Sequence, residues 1–162
     1  MLFLIFQLGQ DRYAMEPQHI VEVFPMLQTK SLPQAPPGVL GLFNYHGRAV
    51  PLLDLMEFSH GRPSRGALST RIVLVHYPSP DSSAANTEAS ERPLLGLVAE
   101  QATTLLRLPR EEFKEAGISV KSTPYLGPIY TDQQGVVQLV EVGKLLPVEV
   151  RDLLLASSGE AY

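Results

Sequence analysis

The stretch Leu40 to Leu55, LGLFNYHGRAVPLLDL, decides the fold. Two apolar runs lie on either side of Asn44-Tyr45-His46-Gly47, where the glycine permits a tight turn. The pattern therefore predicts a strand, a turn and a second strand. The turn carries an amide, a phenol and an imidazole, and the guanidinium of Arg48 follows it. Polar groups on a loop that a buried frame holds in place are typical of a recognition site.

Eight further segments have the apolar or alternating pattern of short strands. They are Leu2–Leu8, Arg12–Glu16, His19–Phe24, Arg71–Tyr77, Leu94–Ala99, Glu100–Leu108, Leu126–Tyr130 and Val136–Val142. In the third of these, alternation places Val21 and Val23 on one face and Ile20, Glu22 and Phe24 on the other. About ten short strands indicate an all-β barrel architecture.

Helical signals are few. Arg110 to Ala116 is predicted to form a short helical turn that Gly117 stops. Pro147 suits the first position of a closing helix, and an apolar stripe is expected on that helix at Val148, Leu153, Leu154 and Leu155.

Three segments are predicted to be connections. Four prolines between Pro25 and Pro37 exclude a regular helix, and the polar stretch Ser59 to Ser69 is expected to be a loop. Residues 78–93, PSPDSSAANTEASERP, contain no large apolar side chain, and we predict a mobile acidic and Ser-rich insertion. The echo of Leu40-Gly41-Leu42 in Leu95-Gly96-Leu97 hints at an internal duplication.

Composition excludes several classes of protein. The 162 residues are 44% hydrophobic and include no cysteine, so one core can form without disulfides, and thiol chemistry is excluded. The net charge of −4 and the absence of a run of Lys or Arg argue against nucleic-acid binding. The apolar opening MLFLIFQL has no basic segment before it and is too short to span a bilayer, so we expect a mature cytoplasmic protein.

No arrangement of residues indicates an enzyme or a metal site. The four histidines, His19, His46, His60 and His76, lie too far apart in sequence for a metal motif. Serines lack a nucleophile elbow, and Gly41 and Gly47 are not followed by a helix that could cradle phosphate. We therefore expect no catalytic residue, no metal and no cofactor.

Single residues have a structural as well as a functional interpretation. Asp54 at a strand end is expected to cap the following turn, and Glu22 either contacts a partner or lies on the solvent face of its strand. Gly41 and Gly47 are expected to serve backbone geometry. Tyr45 and His46 are the stronger binding candidates, because rings on a turn give contact area at low entropic cost.

The central stretch resembles the CheW-like domains, the coupling proteins of bacterial chemosensory arrays. Their consensus is Gly-(apolar)-(apolar)-Asn-Leu-Arg-Gly-x-(apolar)-(apolar)-Pro-(apolar)-(apolar)-Asp-Leu. In matching register this chain has Gly41, Asn44, Gly47, Val50, Pro51, Leu53, Asp54 and Leu55. It departs from the consensus at Tyr45 and His46, which replace Leu-Arg.

The resemblance implies two packed five-stranded SH3-like β-barrel subdomains with a C-terminal helix. It implies one domain over residues 1–156, with a second barrel at roughly 71–135 and a tail at 157–162. The family's function implies a non-catalytic adaptor that couples the cytoplasmic tip of a chemoreceptor to the regulatory domain of a CheA-type histidine kinase. Membrane association would then be indirect, through the receptor.

The motif match also implies partner-binding residues. Around the turn these are Leu42, Asn44, Tyr45, His46, Gly47 and Arg48, and on the strand lining the family's receptor groove they are Val21, Glu22 and Val23. Tyr45-His46 and the acidic insertion resemble coupling proteins of alternative pathways, such as Wsp-type surface sensing. Two alternatives remain open: a small β-barrel that binds a ligand or peptide without a kinase, and an enzyme with a site in the cleft between barrels.

Overall fold

The computed structural model describes residues 1–78, 92–118 and 123–155. These residues form nine strands and two α-helices. The strands are β1 (Leu2–Leu8), β2 (Asp11–Met15), β3 (Ile20–Pro25), β4 (Val39–Tyr45), β5 (Arg48–Asp54), β6 (Arg71–His76), β7 (Leu94–Arg107), β8 (Leu126–Asp132) and β9 (Gly135–Val140), and the helices are α1 (Leu55–His60) and α2 (Val148–Leu155).

Strand β7 is long enough, at 14 residues, to serve two sets of strands. Its first half pairs with β6 and, in parallel, with β5, and its second half pairs with β1. The first barrel consists of β3, β4, β5, β6 and the first half of β7. The second barrel consists of β1, β2, β8, β9 and the second half of β7. The predicted fold of two five-stranded SH3-like barrels is confirmed.

Alternation along the strands separates three apolar clusters. On β6, Ile72 and Leu74 point into the first barrel, while Val73 and Val75 belong to the largest cluster. That cluster joins residues of both barrels with the buried end of α2, and a third cluster fills the second barrel. A period of two therefore lets β6 serve two cores at once.

The sequence predicts two strands where the structure has the single strand β7. Residues 94–99 and 100–108 follow one another without a turn, and an irregularity in the pairing with β1 separates the two halves. Gln101 lies there with a φ of 54°, a left-handed value that is uncommon outside glycine. The bulge bends β7 and sends its second half into the other barrel.

The predicted alternation on β3 is wrong at its start. The pairing of β3 with β6 shifts between Ile20 and Glu22, so Val21 is an extra residue in a β-bulge. Ile20 and Val23 pack against the largest core, and Val21 is exposed. Val21 and Val23 therefore do not share a face.

Helix α1 begins inside the apolar run that is expected to form the second strand of the hairpin. Asp54, 3% exposed, caps it by accepting a hydrogen bond from the Met56 amide at 3.1 Å, as its position at a strand end predicts. The same carboxylate accepts the amide of Ser64 at 2.8 Å, so it also holds the loop after α1. The predicted loop from Ser59 therefore starts only after His60.

Two helical predictions near the C-terminus need correction. The turn at Arg110 is a short 3-10 segment that ends at Glu112, because Lys114 pairs with Ile129 on β8 instead of continuing the helix. Helix α2 forms as predicted, but Val148 and Leu153 are exposed and only Leu154 and Leu155 of the expected stripe are buried. Most of the predicted insertion, residues 79–91, lies outside the described residues. The whole predicted tail also lies outside them.

The repeated Leu-Gly-Leu motif has two different structural causes. Gly41 has a φ of 141°, and a Cβ there would lie 2.0 Å from the carbonyl oxygen of Lys30. Gly96 instead leaves room for the ring of Phe43, which a Cβ would approach to 2.6 Å. Each glycine thus allows a close approach, to backbone in one case and to a buried ring in the other.

Candidate functional site

The hairpin between β4 and β5 has a two-residue turn. Tyr45 and Arg48 are the last pair of the ladder, and His46 and Gly47 form the turn with φ values of 49° and 87°. Two positive φ angles are typical of a type I′ turn, whose twist matches the flanking strands. The Asn44 side chain accepts a hydrogen bond from the Gly47 amide at 2.8 Å, which holds the turn closed.

The turn carries an aromatic surface that continues onto β3. The Tyr45 ring stacks on Phe24, with centroids 6.2 Å apart and an interplanar angle of 10°. The His46 ring packs edge-on against the Tyr45 ring, with centroids 4.4 Å apart. The Tyr45 hydroxyl donates to the Glu22 carboxylate at 3.0 Å. We call these four side chains, Glu22, Phe24, Tyr45 and His46, the hairpin surface.

The hairpin surface is fixed to the core of the first barrel, and the phenol of Tyr45 is uncharged. Phe24 also contacts the buried Phe43 ring at 5.9 Å, so the stack rests on the core of the first barrel. The hydrogen bond to Glu22 raises the pKa of the Tyr45 phenol, which therefore stays a donor at neutral pH. A ring stack fixed in this way offers contact area without losing rotamer freedom on binding.

Two arginines lie beside the hairpin, close to His76 on β6. The Arg48 guanidinium donates to the carbonyl of Arg92 at 3.2 Å. Burial, and then the charges of Arg92 and Arg48, lower the pKa of His76. Its Nδ1 atom is buried and has no hydrogen-bond partner in the described part of the chain. His76 is therefore held in its neutral form.

This arrangement predicts an acid-sensitive stability. Because the pKa of His76 is lower in the folded state than the usual value near 6.5, the unfolded chain binds the proton first as the pH falls. The free energy of unfolding should decrease as the pH drops from about 7 through about 6. Urea titrations at several pH values will measure this, and His76→Gln should flatten the change. A His76→Gln variant whose stability falls with pH as steeply as that of the wild type would contradict this assignment.

The structure distributes the sequence-predicted binding residues over four environments. Glu22, Tyr45 and His46 are brought together, and Asn44, Gly47 and Arg48 form or flank the turn. Val21 is 39% exposed on the same strand as Glu22. Leu42 is half-buried, with its backbone paired to Lys30, and Val23 packs into the largest core, so neither presents a free apolar side chain.

Sequence reasoning missed Phe24 as part of this surface. It assigned Phe24 to the face of Glu22, and the structure shows both side chains contacting Tyr45. One signal was available in the sequence. Phe24 follows Glu22 by two positions, on the strand that comes before the hairpin. A pairing across 21 residues, from Phe24 to Tyr45, cannot be deduced from local pattern alone.

Other candidate chemistries have little support in the described residues. No group of three acidic or histidine side chains among them could hold a metal ion. Among the described residues, none of the helices has the length and apolar composition that a transmembrane span requires. A groove of about 570 Å³ lies on the second barrel, lined by amide and hydroxyl side chains such as Gln7, Gln101 and Thr104.

Comparison with known proteins agrees with this fold. No curated protein sequence gives a significant match to the chain. A crystal structure of the scaffolding protein TtCheW from Thermoanaerobacter tengcongensis superposes with a TM-score of 0.77 at 17% identity, over 95% of this chain and 92% of that one. The model of the CheW-like domain matches residues 2–150. The chain therefore belongs to the family of CheW-like domains.

Proposed function

We propose that this protein is a non-catalytic scaffold of a bacterial chemosensory complex, located in the cytoplasm. The match of the CheW-like domain over residues 2–150 is the observation that supports this most strongly. Within that role, it couples the cytoplasmic tip of a chemoreceptor to the regulatory domain of a CheA-type histidine kinase. The hairpin surface supports the assignment because it is a rigid ring stack on an otherwise well-packed barrel.

The two partners use neighbouring parts of the first barrel in this proposal. The turn residues Asn44 to Arg48 contact the kinase domain, and β3, where Val21 is exposed, contacts the receptor. Glu22 links the two regions through its bond to Tyr45. A bridging protein needs two such surfaces that remain uncovered in the free monomer.

Assembly of three purified components tests the proposal. This protein, the kinase regulatory domain and the receptor tip from the same genome should form one complex on size-exclusion chromatography. Neither partner should recruit the other without this protein. If the kinase domain and the receptor tip form the same complex with and without this protein, the scaffold role is contradicted.

The groove on the second barrel favours one other function, binding of a small polar ligand. Its lining combines amide and hydroxyl groups with the ion pair of Arg12 and Asp132, so it suits a molecule that forms hydrogen bonds. A Gln101→Ala variant that loses binding of the small ligand but binds both protein partners normally would separate this function from the scaffold role.

Replacing His46 with arginine tests whether the kinase contact is aromatic or ionic. Since the His46 ring packs edge-on against Tyr45 and extends an aromatic surface, we expect the contact with the partner to be aromatic and not ionic. The His46→Arg variant would place an unpaired charge in that contact and should weaken binding by about 1 to 2 kcal/mol. Calorimetric titration with the kinase regulatory domain at two pH values measures the change.

Arg48→Ala is the companion variant, because Arg48 carries the nearest permanent charge on the hairpin. Tighter binding by His46→Arg, together with wild-type binding that strengthens toward pH 6, would show that the partner presents an acid here. Equal affinities for wild type and both variants would remove the turn from the interface.

A further inference from the structure

A cavity of about 360 Å³ lies where the two barrels meet. It is lined by the turn between β1 and β2 at Gly9 and Gln10, the loop of residues 61–70 that follows α1, and the bulge of β7 at Glu100 and Gln101. The turn belongs to the second barrel, the loop leads from α1 to β6 of the first, and β7 is shared by both. Concave sites between such units are preferred places for binding small molecules.

The wall formed by the loop is fixed before any ligand binds. The Arg65 amide donates to the buried Glu100 carboxylate at 3.0 Å. The Ala102 amide of the β7 bulge donates to the Ser69 carbonyl at 3.1 Å. The Thr70 hydroxyl closes the loop by donating to the Arg65 carbonyl at 2.6 Å. Because the loop is tied to the bulge in this way, little conformational freedom is lost on binding.

Two arginines give the cavity an excess of positive charge. Arg62 and Arg65 line it, and neither forms an ion pair with another described residue. The Nη2 atom of Arg62 lies 3.9 Å from the position of a Cβ built on Gly9, so this guanidinium lies against the turn between β1 and β2. Among the described residues of the lining, Glu100 is the one acid, and its carboxylate accepts a backbone amide and not a guanidinium. The lining therefore favours an anion.

Amide side chains stand beside the arginines. Gln7, Gln10 and Gln101 line the cavity, and an amide can both donate to and accept from a hydroxyl group. Gln101 is held there with a φ of 54°, and backbone strain of this kind is concentrated at functional sites. Gln7 and Gln101 also line the groove on the second barrel, so the two cavities adjoin.

We infer that this cavity binds a small phosphorylated molecule, with its phosphate on Arg62 and Arg65 and its hydroxyl groups on the glutamine amides. A phosphate monoester carries a charge of about −1.5 to −2 at pH 7, which two guanidiniums balance. The planar fork of arginine also matches the oxygens of phosphate in pairs. The cavity is near the lower end of the size range of ligand sites, which suits a compact ligand such as a pentose phosphate.

Calorimetric titration at low salt measures the binding, with ribose 5-phosphate as the probe. Arg62→Gln and Arg65→Gln should each weaken binding about tenfold or more, because each loses a charge-assisted hydrogen bond. Arg107 is exposed on β7 outside this cavity, so Arg107→Gln is the matched control and should bind as the wild type does. Equal affinities for all four proteins, or a wild type that does not bind at about 10 mM, would overturn the inference.

Glu100→Gln gives a readout in the opposite direction. Glutamine still offers an oxygen to the Arg65 amide but removes the negative charge from the lining. This variant should therefore bind ribose 5-phosphate about threefold or more tightly than the wild type does. Melting temperatures without ligand show that each variant is folded. Unchanged or weaker binding by folded Glu100→Gln would contradict an anion site.

Two further ligands separate phosphate recognition from general attraction. Ribose lacks the phosphate, so it should not bind detectably at the concentrations that saturate the protein with ribose 5-phosphate. Succinate has two negative charges on separate carboxylates, and it should bind about tenfold or more weakly. Ribose that binds as tightly as its phosphate would place recognition in the amides, and succinate that does so would show a site for any dianion. Either result would overturn the assignment to a phosphorylated ligand.

Discussion

Replacing Gly41 with alanine is expected to destabilise the domain by about 3 to 5 kcal/mol. The new Cβ would lie 2.0 Å from the Lys30 carbonyl oxygen, and the φ of 141° is strained for any L-residue. Relief of the clash requires the backbone of Lys30 to move, which breaks its two hydrogen bonds with Leu42. Thermal and urea unfolding will measure the loss, which corresponds to a decrease in Tm of roughly 10 °C.

Gly61→Ala is the matched control for that substitution. Gly61 also has a positive φ, 77°, but nothing lies within 4 Å of a Cβ built there. This variant should lose only the cost of the left-handed conformation, about 1 to 2 kcal/mol. Equal losses in the two variants would show that backbone strain alone, and not the approach of Lys30, explains the glycine at position 41.

Placing aspartate at two valines of β3 should separate binding from stability. Val21 is exposed in the bulge, so Val21→Asp should change the free energy of unfolding by less than about 1 kcal/mol. The same change should reduce receptor binding by about a hundredfold or more, because a carboxylate in the centre of an interface is desolvated without a partner. Chemical unfolding and calorimetric titration give the two quantities.

Val23→Asp, two residues further along the strand, is the comparison. Its side chain packs against the core shared by both barrels, so an aspartate there should cost about 3 kcal/mol or more. If Val21→Asp were as destabilising as Val23→Asp, the bulge on β3 would be wrong and Val21 would belong to the core.

The hairpin and the barrel class could be predicted because their signals are local. Gly47 marks the turn, the flanking apolar runs fix two strands, and the strands predicted near both ends of the chain form and pair with each other. The capping role of Asp54 was also predictable, because a carboxylate at a strand end has few other uses. Short-range chemistry decides each of these features.

The bulges and the hairpin surface could not be predicted because long-range packing decides them. No glycine or proline marks the bulge at Val21 or the one at Gln101. Each residue nevertheless interrupts the pairing of its strand where the barrel curves. Helix α1 forms from an apolar run that reads equally well as strand. The contact of Glu22 with Tyr45 joins side chains on β3 and β4 that are 23 residues apart, and only the folded barrel brings them together.

Calorimetric titration of the receptor tip and of the kinase regulatory domain, each into wild type, Val21→Asp and Val136→Asp, tests the scaffold role most directly. Val136 is an exposed valine on the second barrel and therefore a matched control. The wild type should bind both partners, Val21→Asp should lose the receptor tip but keep the kinase domain within about threefold, and Val136→Asp should bind both normally. A wild type that binds neither partner, or a Val21→Asp variant that binds the receptor tip unchanged, would contradict the account.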